Sequence, residues 1–509
     1  MKTEEHWKKI GFYPHHGIYV SLSSLRTKKS CGVGEFLDLI PLIDWCKSLS
    51  LDCIQLLPLN DTGDDPSPYN ALSSCALDPL YLSLTDLPDA GPLHSELEIF
   101  RPLTEMQRVA KNEVRHRKIE WLHRYFERIS PNPIKNEAWL QTYALFKSLK
   151  DEYGGKSWQD WPISSQTPNP KDLEKYRRSI DFHCFLQSLC FSQLKKVHDY
   201  ATQRGIFLKG DIPILLSPDS ADVWAHRSLF QLDLVAGSPP DYYTPLGQKW
   251  GFPLFNWEEM RRTHFSWWKQ RLQMAEQFYH LYRIDHVVGF FRIWAIPADK
   301  KPTEGHFVPS DPHLWEGQGR ELLEMMISAS SLLPIAEDLG TIPTRVRSTL
   351  REYGICGTRV IRWERHWEGD RSYIPFHLYD PFSLTTVSTA DTEPLLLWWK
   401  NHPDEAIPLA HLKQWSYQPT LTHEQQFELL RDAHHTPSYF HINLLQEYLS
   451  LFPELTWPNL EDERINVPGT LLPTNWTYRT RPYLEEILAH QGLAEAMRKI
   501  LHADLGSEP

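Results

Sequence analysis

The chain has 509 residues, 41% of them hydrophobic and 12% aromatic, and 53 Lys and Arg against 65 Asp and Glu give a formal net charge of −12. That apolar content excludes a disordered chain, the acidic balance weighs against a nucleic-acid partner, and no stretch approaches the ~20 apolar residues of a membrane span. The length suits several domains, or one α/β barrel carrying large insertions.

The opening Met1-Lys-Thr-Glu-Glu-His-Trp-Lys-Lys lacks the apolar middle of a signal peptide. The seven cysteines (Cys31, Cys46, Cys53, Cys75, Cys184, Cys190 and Cys356) form no Cys-x-x-Cys pair and read as reduced core thiols, so a cytoplasmic location is expected. Short β-rich apolar runs predict strands at 17–21, 52–57, 206–214, 281–285, 333–337, 358–363, 384–389 and 464–467. Helical periods lie between them. The first, 36–49, puts Phe36, Leu39, Ile40, Ile43 and Cys46 on one face, and others cover 113–129, 137–150, 257–280, 343–353 and 483–501. Strand–helix alternation repeated about eight times predicts a (β/α)8 TIM barrel, a single catalytic unit over residues 1–509. Residues 80–200 and 400–460 are too long for simple connections and are expected to form helical subdomains on the rim. Segment 236–253, rich in Pro, Gly and aromatics, is expected to be an ordered loop without secondary structure of its own. It serves either as a lid that stacks on sugar rings or as a structural loop packing Tyr242 and Tyr243 into the rim. The 20 Trp and 24 His fit a large core and equally fit stacking on pyranose faces.

Barrel chemistry lies at the C-terminal ends of the strands. Four predicted strands end in a carboxylate there: Asp211, Asp285, Glu337 and Asp391. One such residue is ordinarily a helix cap; four at the same face are hard to assign to capping. Alternation places Arg283 on the same face as Asp285, and the guanidinium is expected to lower that carboxyl's pKa and keep it ionised, as a nucleophile requires. Glu337, one strand along, is expected to be the protonated partner. Two carboxyls about 5–5.5 Å apart are the geometry of a retaining glycosidase, with Asp391 free to bind sugar hydroxyls and stabilise an oxocarbenium-like transition state. A metal site competes for the same cluster, since His286 adjoins Asp285, but no His-x-x-x-His or Asp-x-Asp spacing supports it.

The chain resembles the 4-α-glucanotransferases, the amylomaltase or disproportionating-enzyme family of the α-amylase clan. The resemblance rests on Ser67-Pro-Tyr69, Gly210-Asp211-Ile-Pro, Ala236-Gly-Ser-Pro-Pro-Asp241, Gly247-Gln248-Lys-Trp250-Gly, Arg283-Ile-Asp285-His286, Ala336-Glu337-Asp338-Leu-Gly340, Pro468-Gly-Thr and Asn475-Trp476. It implies Asp285 as nucleophile, Glu337 as acid/base and Asp391 as third essential carboxylate. It places Ser67, Tyr69, Asp211, Asp241, Tyr243, Gln248, Trp250, Arg283, His286 and Asn475 among the substrate-binding residues. It implies an α-1,4-glucan donor, a glucose or maltooligosaccharide acceptor, and no metal or organic cofactor. Ile212-Pro213 after Asp211 replaces the Asn-His with which clan relatives bind calcium. One position departs from the family: its Thr-His-Asp reads Thr389-Ala390-Asp391 here. An α-glucan hydrolase and a non-catalytic glucan-binding protein remain the competing functions.

Overall fold

The computed structural model describes residues 1–131, 137–241 and 244–502. Eight parallel strands form the barrel: β1 (His15–Val20), β2 (Cys53–Leu56), β3 (Phe207–Ile212), β6 (Leu281–Ile284), β9 (Leu333–Ala336), β10 (Gly357–Val360), β11 (Ser383–Thr386) and β12 (Phe440–Leu444). The gap between β9 and β10 is closed by a parallel bridge, Ile335 to Cys356, with Ala336 N donating to Cys356 O at 2.7 Å.

Period-two alternation sorts each strand's residues between two apolar clusters. Tyr19, Cys53, Leu281, Leu333, Leu384, Phe440 and Ile442 fill the barrel interior. Their neighbours Ile18, Ile54, Leu56, Tyr282, Ile284 and Ala336 face the surrounding helices. Toward the C-terminal end the inward positions become polar: Gln55 follows Cys53, Lys209 and Asp211 line β3, and Arg283 follows Leu281. The apolar plug thus sits beneath a polar mouth.

Seven predicted strands coincide with barrel strands. The eighth does not. Residues 464–467 are loop, and the eighth strand is β12, inside the 400–460 segment expected to be a rim insertion. Its outward side chains, His441 and Asn443, are polar, so the strand lacks the continuous apolar run that a buried parallel strand usually shows. Asn443 Oδ1 accepts Val387 N at 2.8 Å, and His441 Nε2 pairs with Thr436 at 3.1 Å. The helices of 80–200 pack into the same core as the barrel's outer residues. Buried ion pairs tie them down: Lys118 to Glu35, and Arg115 to Asp78 at 2.6 Å.

The segment expected to be an irregular loop, 236–253, is mostly a hairpin. β4 (Phe230–Ser238) and β5 (Gln248–Phe255) join β7 (Ile293–Pro297) and β8 (His306–Val308) in an antiparallel sheet of order β5-β4-β7-β8. Its glycines and prolines suggested a loop, yet β5 is an edge strand, where Pro253 forfeits no ladder bond, and register shifts occur around Val235 opposite it. Gly237 is required by close approach, since a Cβ there would lie 2.0 Å from Gln248 O.

Around β1 and β12, three imidazoles pack together. His16 stacks on His441 at 4.9 Å, and its Nδ1 lies 2.9 Å from His434 Nδ1. Burial, reinforced by their mutual repulsion, pushes His16 down to about 3, His441 to about 4 and His434 well below 6.5. The unfolded chain takes up these protons below pH 6.5 and the folded chain does not, so stability is full above 6.5 and falls as the pH drops. Each such histidine contributes about 1.4 kcal/mol per pH unit. The midpoint of thermal unfolding should fall steeply between pH 6.5 and 5, and His16→Asn should flatten that slope; parallel curves for the two proteins would show that the cluster does not govern acid stability.

Candidate active site

Arg283 is the centre of the barrel mouth. Its Nη1 lies 2.8 Å from both Asp211 oxygens and 3.1 Å from Asp285 Oδ1, while its Nη2 lies 2.8 Å from Glu337 Oε2. The strand pairing dictates this meeting, because Asp211 and Arg283 are register partners between β3 and β6. Tyr69, carried in by the loop after β2, donates its hydroxyl to Asp211 Oδ2 at 2.9 Å. Two backbone amides add to this: Ile214 N donates to Asp285 Oδ2 at 3.0 Å, and His286 N donates at 2.9 Å to Glu337 Oε2, the oxygen that Arg283 also holds. Asp391 stands across the pocket, its Oδ1 accepting from Asn466 Nδ2 at 2.7 Å.

The electrostatics correct two expectations, the lowered pKa of Asp285 and the protonated state of Glu337. Arg283 does not leave Asp285 with a lowered pKa. Burial outweighs the guanidinium, and with Glu337 and Asp211 nearby it lifts the Asp285 carboxyl to about 8. Glu337 is lowered, because Arg283 Nη2 and the His286 amide hold its charge. The two carboxyls interact strongly, so the proton belongs to the pair rather than to either residue. Burial also raises Asp391, and it pushes the His286 imidazole down to about 4, which leaves that ring neutral.

These groups surround a cavity of about 140 Å³, walled by Tyr19, Tyr69, Arg283, Glu337, Trp363 and Asp391. Lys209 and Gln55 also line it, with Lys209 Nζ donating to Gln55 Oε1 at 2.8 Å. Burial and the Arg283 charge press this ammonium down to about 7. Among the described residues, no three His, Cys, Asp or Glu side chains are placed to hold a metal ion.

The profile of the 4-alpha-glucanotransferase family matches residues 20–485. The chain belongs to the 4-alpha-glucanotransferase family. It is an enzyme of that class, and the relatives agree. A 4-alpha-glucanotransferase of Chlamydia pneumoniae is 43% identical over 511 residues, 97% of either chain. One from Thermus thermophilus is 31% identical over 457 residues, 84% of this chain and 87% of its own. Two solved structures share the fold. The amylomaltase of Streptococcus agalactiae, solved in complex with acarbose, superposes with a TM-score of 0.75 at 24% identity, covering 96% of this chain and 98% of that one. The amylomaltase of Corynebacterium glutamicum gives 0.78 at 21% identity, covering 98% and 76%.

The other residues expected at a 4-alpha-glucanotransferase site divide into two groups. Trp250 adjoins the pocket through His286, whose ring its indole meets edge-on at 4.9 Å, and Gln248 Oε1 fixes the Trp250 Nε1–H at 2.9 Å. Ser67, Asp241 and Asn475 act on backbone. Ser67 Oγ accepts Tyr69 N at 3.3 Å, Asp241 Oδ1 accepts Thr244 N at 2.6 Å, and Asn475 Oδ1 accepts Val467 N at 3.1 Å. Tyr243 lies outside the described residues. Sequence reasoning missed Asn466, Lys209, Gln55 and Tyr19. Asn466 was concealed by reading 464–467 as a strand, when the segment is a loop that delivers its amide to Asp391. At the departure from the family motif, the Ala390 methyl joins the interior cluster of Leu384 and Ile442 and forms pocket wall.

Removing the guanidinium leaves buried carboxylates without a counter-charge, which ordinarily costs about 3–5 kcal/mol. Arg283→Met should therefore lower stability by about that much at pH 8. The deficit should shrink toward pH 5.5, as the abandoned carboxyls take up protons. Urea midpoints of both proteins at the two pH values decide it, and equal stability at pH 8 would deny Arg283 this role.

Proposed function

We propose that the chain cuts an α-1,4-glucan and transfers the donor segment to the 4-hydroxyl of glucose or another glucan by a retaining double displacement. The observation that carries this reading is the Asp285–Glu337 pair, two carboxyls at adjacent strand ends bound by one guanidinium. In the first step the Asp285 carboxylate attacks the anomeric carbon while Glu337 gives its proton to the departing 4-oxygen. In the second, Glu337, now ionised, takes the proton of the acceptor's 4-hydroxyl as that oxygen attacks the glycosyl ester and frees Asp285. For both steps the pair must enter with one proton, located on Glu337 when donor is bound. The donor's glycosidic oxygen gives a Glu337 proton an acceptor that the empty site lacks. Asp391, oriented by Asn466, receives sugar hydroxyls and faces the positive charge that develops on the ring. Tyr69, Asp211 and Arg283 frame the reactive glucose, and Trp250 with His286 covers the acceptor side.

Incubation with maltotriose tests the reading. A ladder of longer chains with released glucose is expected; shortening alone would make the protein a hydrolase, and no change would leave a glucan binder. Asp285→Asn should abolish the ladder with the fold intact, since an amide of the same size cannot attack.

The pH dependence tests the shared proton. Above the upper pKa of the pair both carboxyls are ionised and no proton remains for the leaving group. kcat/KM should therefore fall on the alkaline side, with a midpoint near 8. Glu337→Gln should lose most of its activity on maltotriose, by on the order of 10²–10⁴-fold. It should retain far more with a glycosyl fluoride, whose leaving group needs no proton, and the alkaline limb should vanish with that donor. Equal losses on both donors would remove Glu337 from the acid role.

A further inference from the structure

A second groove lies outside the catalytic pocket. It encloses about 610 Å³ between the loop after β10 and the helix Pro403–Leu412, within the range of cavities that hold a bound organic molecule. Arg365 and Tyr373 form its base: the guanidinium lies over the phenol ring, 4.3 Å from its centroid, and Tyr373 donates to Glu405 O at 3.1 Å, joining loop to helix. The loop is held by its own backbone, with His366 N donating to Ser372 O at 3.0 Å and Ile374 N to Glu364 O at 2.9 Å. On this rigid support Trp367 presents an indole that is 40% exposed, its Nε1–H fixed on Trp363 O at 2.9 Å. Asp370 and Arg371 flank it, and Asp404 and His411 face it from the helix.

Three features select the ligand. An aromatic face held out in water matches an apolar C–H ring face. The carboxylates and nitrogen donors around it suit hydroxyls. Asp370 and Asp404 set against Arg365 and Arg371 give no strong field of either sign, which disfavours an anion or a cation and favours a neutral polyol. Position adds a fourth. Trp363 walls the catalytic cavity and Trp367 this groove, and four residues of chain span at most ~14 Å, so one polysaccharide reaches both.

We propose that this groove binds a segment of α-1,4-glucan chain and anchors polymeric substrate beside the catalytic pocket. The proposal rests on the glucan activity proposed above, and its test separates the two. Wild type, Trp367→Ala and, on the opposite wall, Asp404→Ala/His411→Ala are run in native gels containing increasing glycogen, and each is assayed for maltotriose disproportionation. The apparent Kd for glycogen should rise about tenfold in both variants, with maltotriose turnover within about twofold of wild type. Variants retarded by glycogen as strongly as wild type would overturn the groove and leave the catalytic reading untouched. If no form turned over maltotriose, the catalytic reading would fail, and the glycogen gels alone would still decide the groove.

Discussion

One guanidinium holds the mouth of this barrel together. Arg283 contacts Asp211, Asp285 and Glu337 directly, and Asp391 stands in the same pocket. Four carboxyls gathered around one strong cation in a low-dielectric site cannot all carry charge. Lys209 offers little relief, because the same burial and the Arg283 charge bring it to about 7. Burial accordingly raises Asp285 and Asp391, while Arg283 and the His286 amide lower Glu337. On the mechanism proposed above, the acid follows from a charge deficit built into the fold rather than from a property of Glu337 alone.

That deficit depends on strand register. Asp211 pairs with Arg283 across β3 and β6, and Arg283 with Ile335 across β6 and β9, which sets Glu337 just past the end of β9. A slip of one residue between β3 and β6 would turn Arg283 outward and Ile284 inward. The interior residues Leu281, Leu333 and Phe440 oppose such a slip, since it would carry an apolar side chain out of the plug and a polar one into it. The apolar floor and the charged mouth thus specify one another.

The parts legible in the sequence were those that follow a local period or end a strand. Seven barrel strands, the helical faces and the strand-end carboxylates could be read because each belongs to a short window with a clear pattern. Two parts could not. β12 alternates Phe440, Ile442 and Leu444 with His441 and Asn443, and Asn443 meets Val387, a residue that only the fold brings near. The hairpin of β4 and β5 carries Gly and Pro at positions tolerated through close approach and an edge location, which are facts about neighbours. The same distinction runs through the site. Asp285 and Glu337 could be found by position, whereas the balance of their proton could not. It depends on burial and on which oxygen the guanidinium and the His286 amide reach. Asn466 illustrates the limit from the other side, because its role exists only once a loop distant in sequence folds over Asp391.

Transfer in place of hydrolysis sets the last demand on this architecture. Water stands at about 55 M, and an acceptor sugar at about 1 mM. Merely to match water, the glycosyl ester must prefer the acceptor by roughly 10⁴–10⁵, about 6–7 kcal/mol. No single hydrogen bond supplies that. Positioning two reactants can, provided that the covering element is stiff enough to exclude water. An irregular loop would be poorly suited to this, whereas a hairpin continued into a four-stranded sheet is well suited. Trp250 sits on β5 with its indole nitrogen fixed by Gln248 and its edge against His286. His286 in turn gives its backbone amide to Glu337. On the roles proposed above for Trp250 and Glu337, cover and acid are linked through one residue, so an acceptor that orders Trp250 would act on the same unit that holds the carboxylate due to receive its proton.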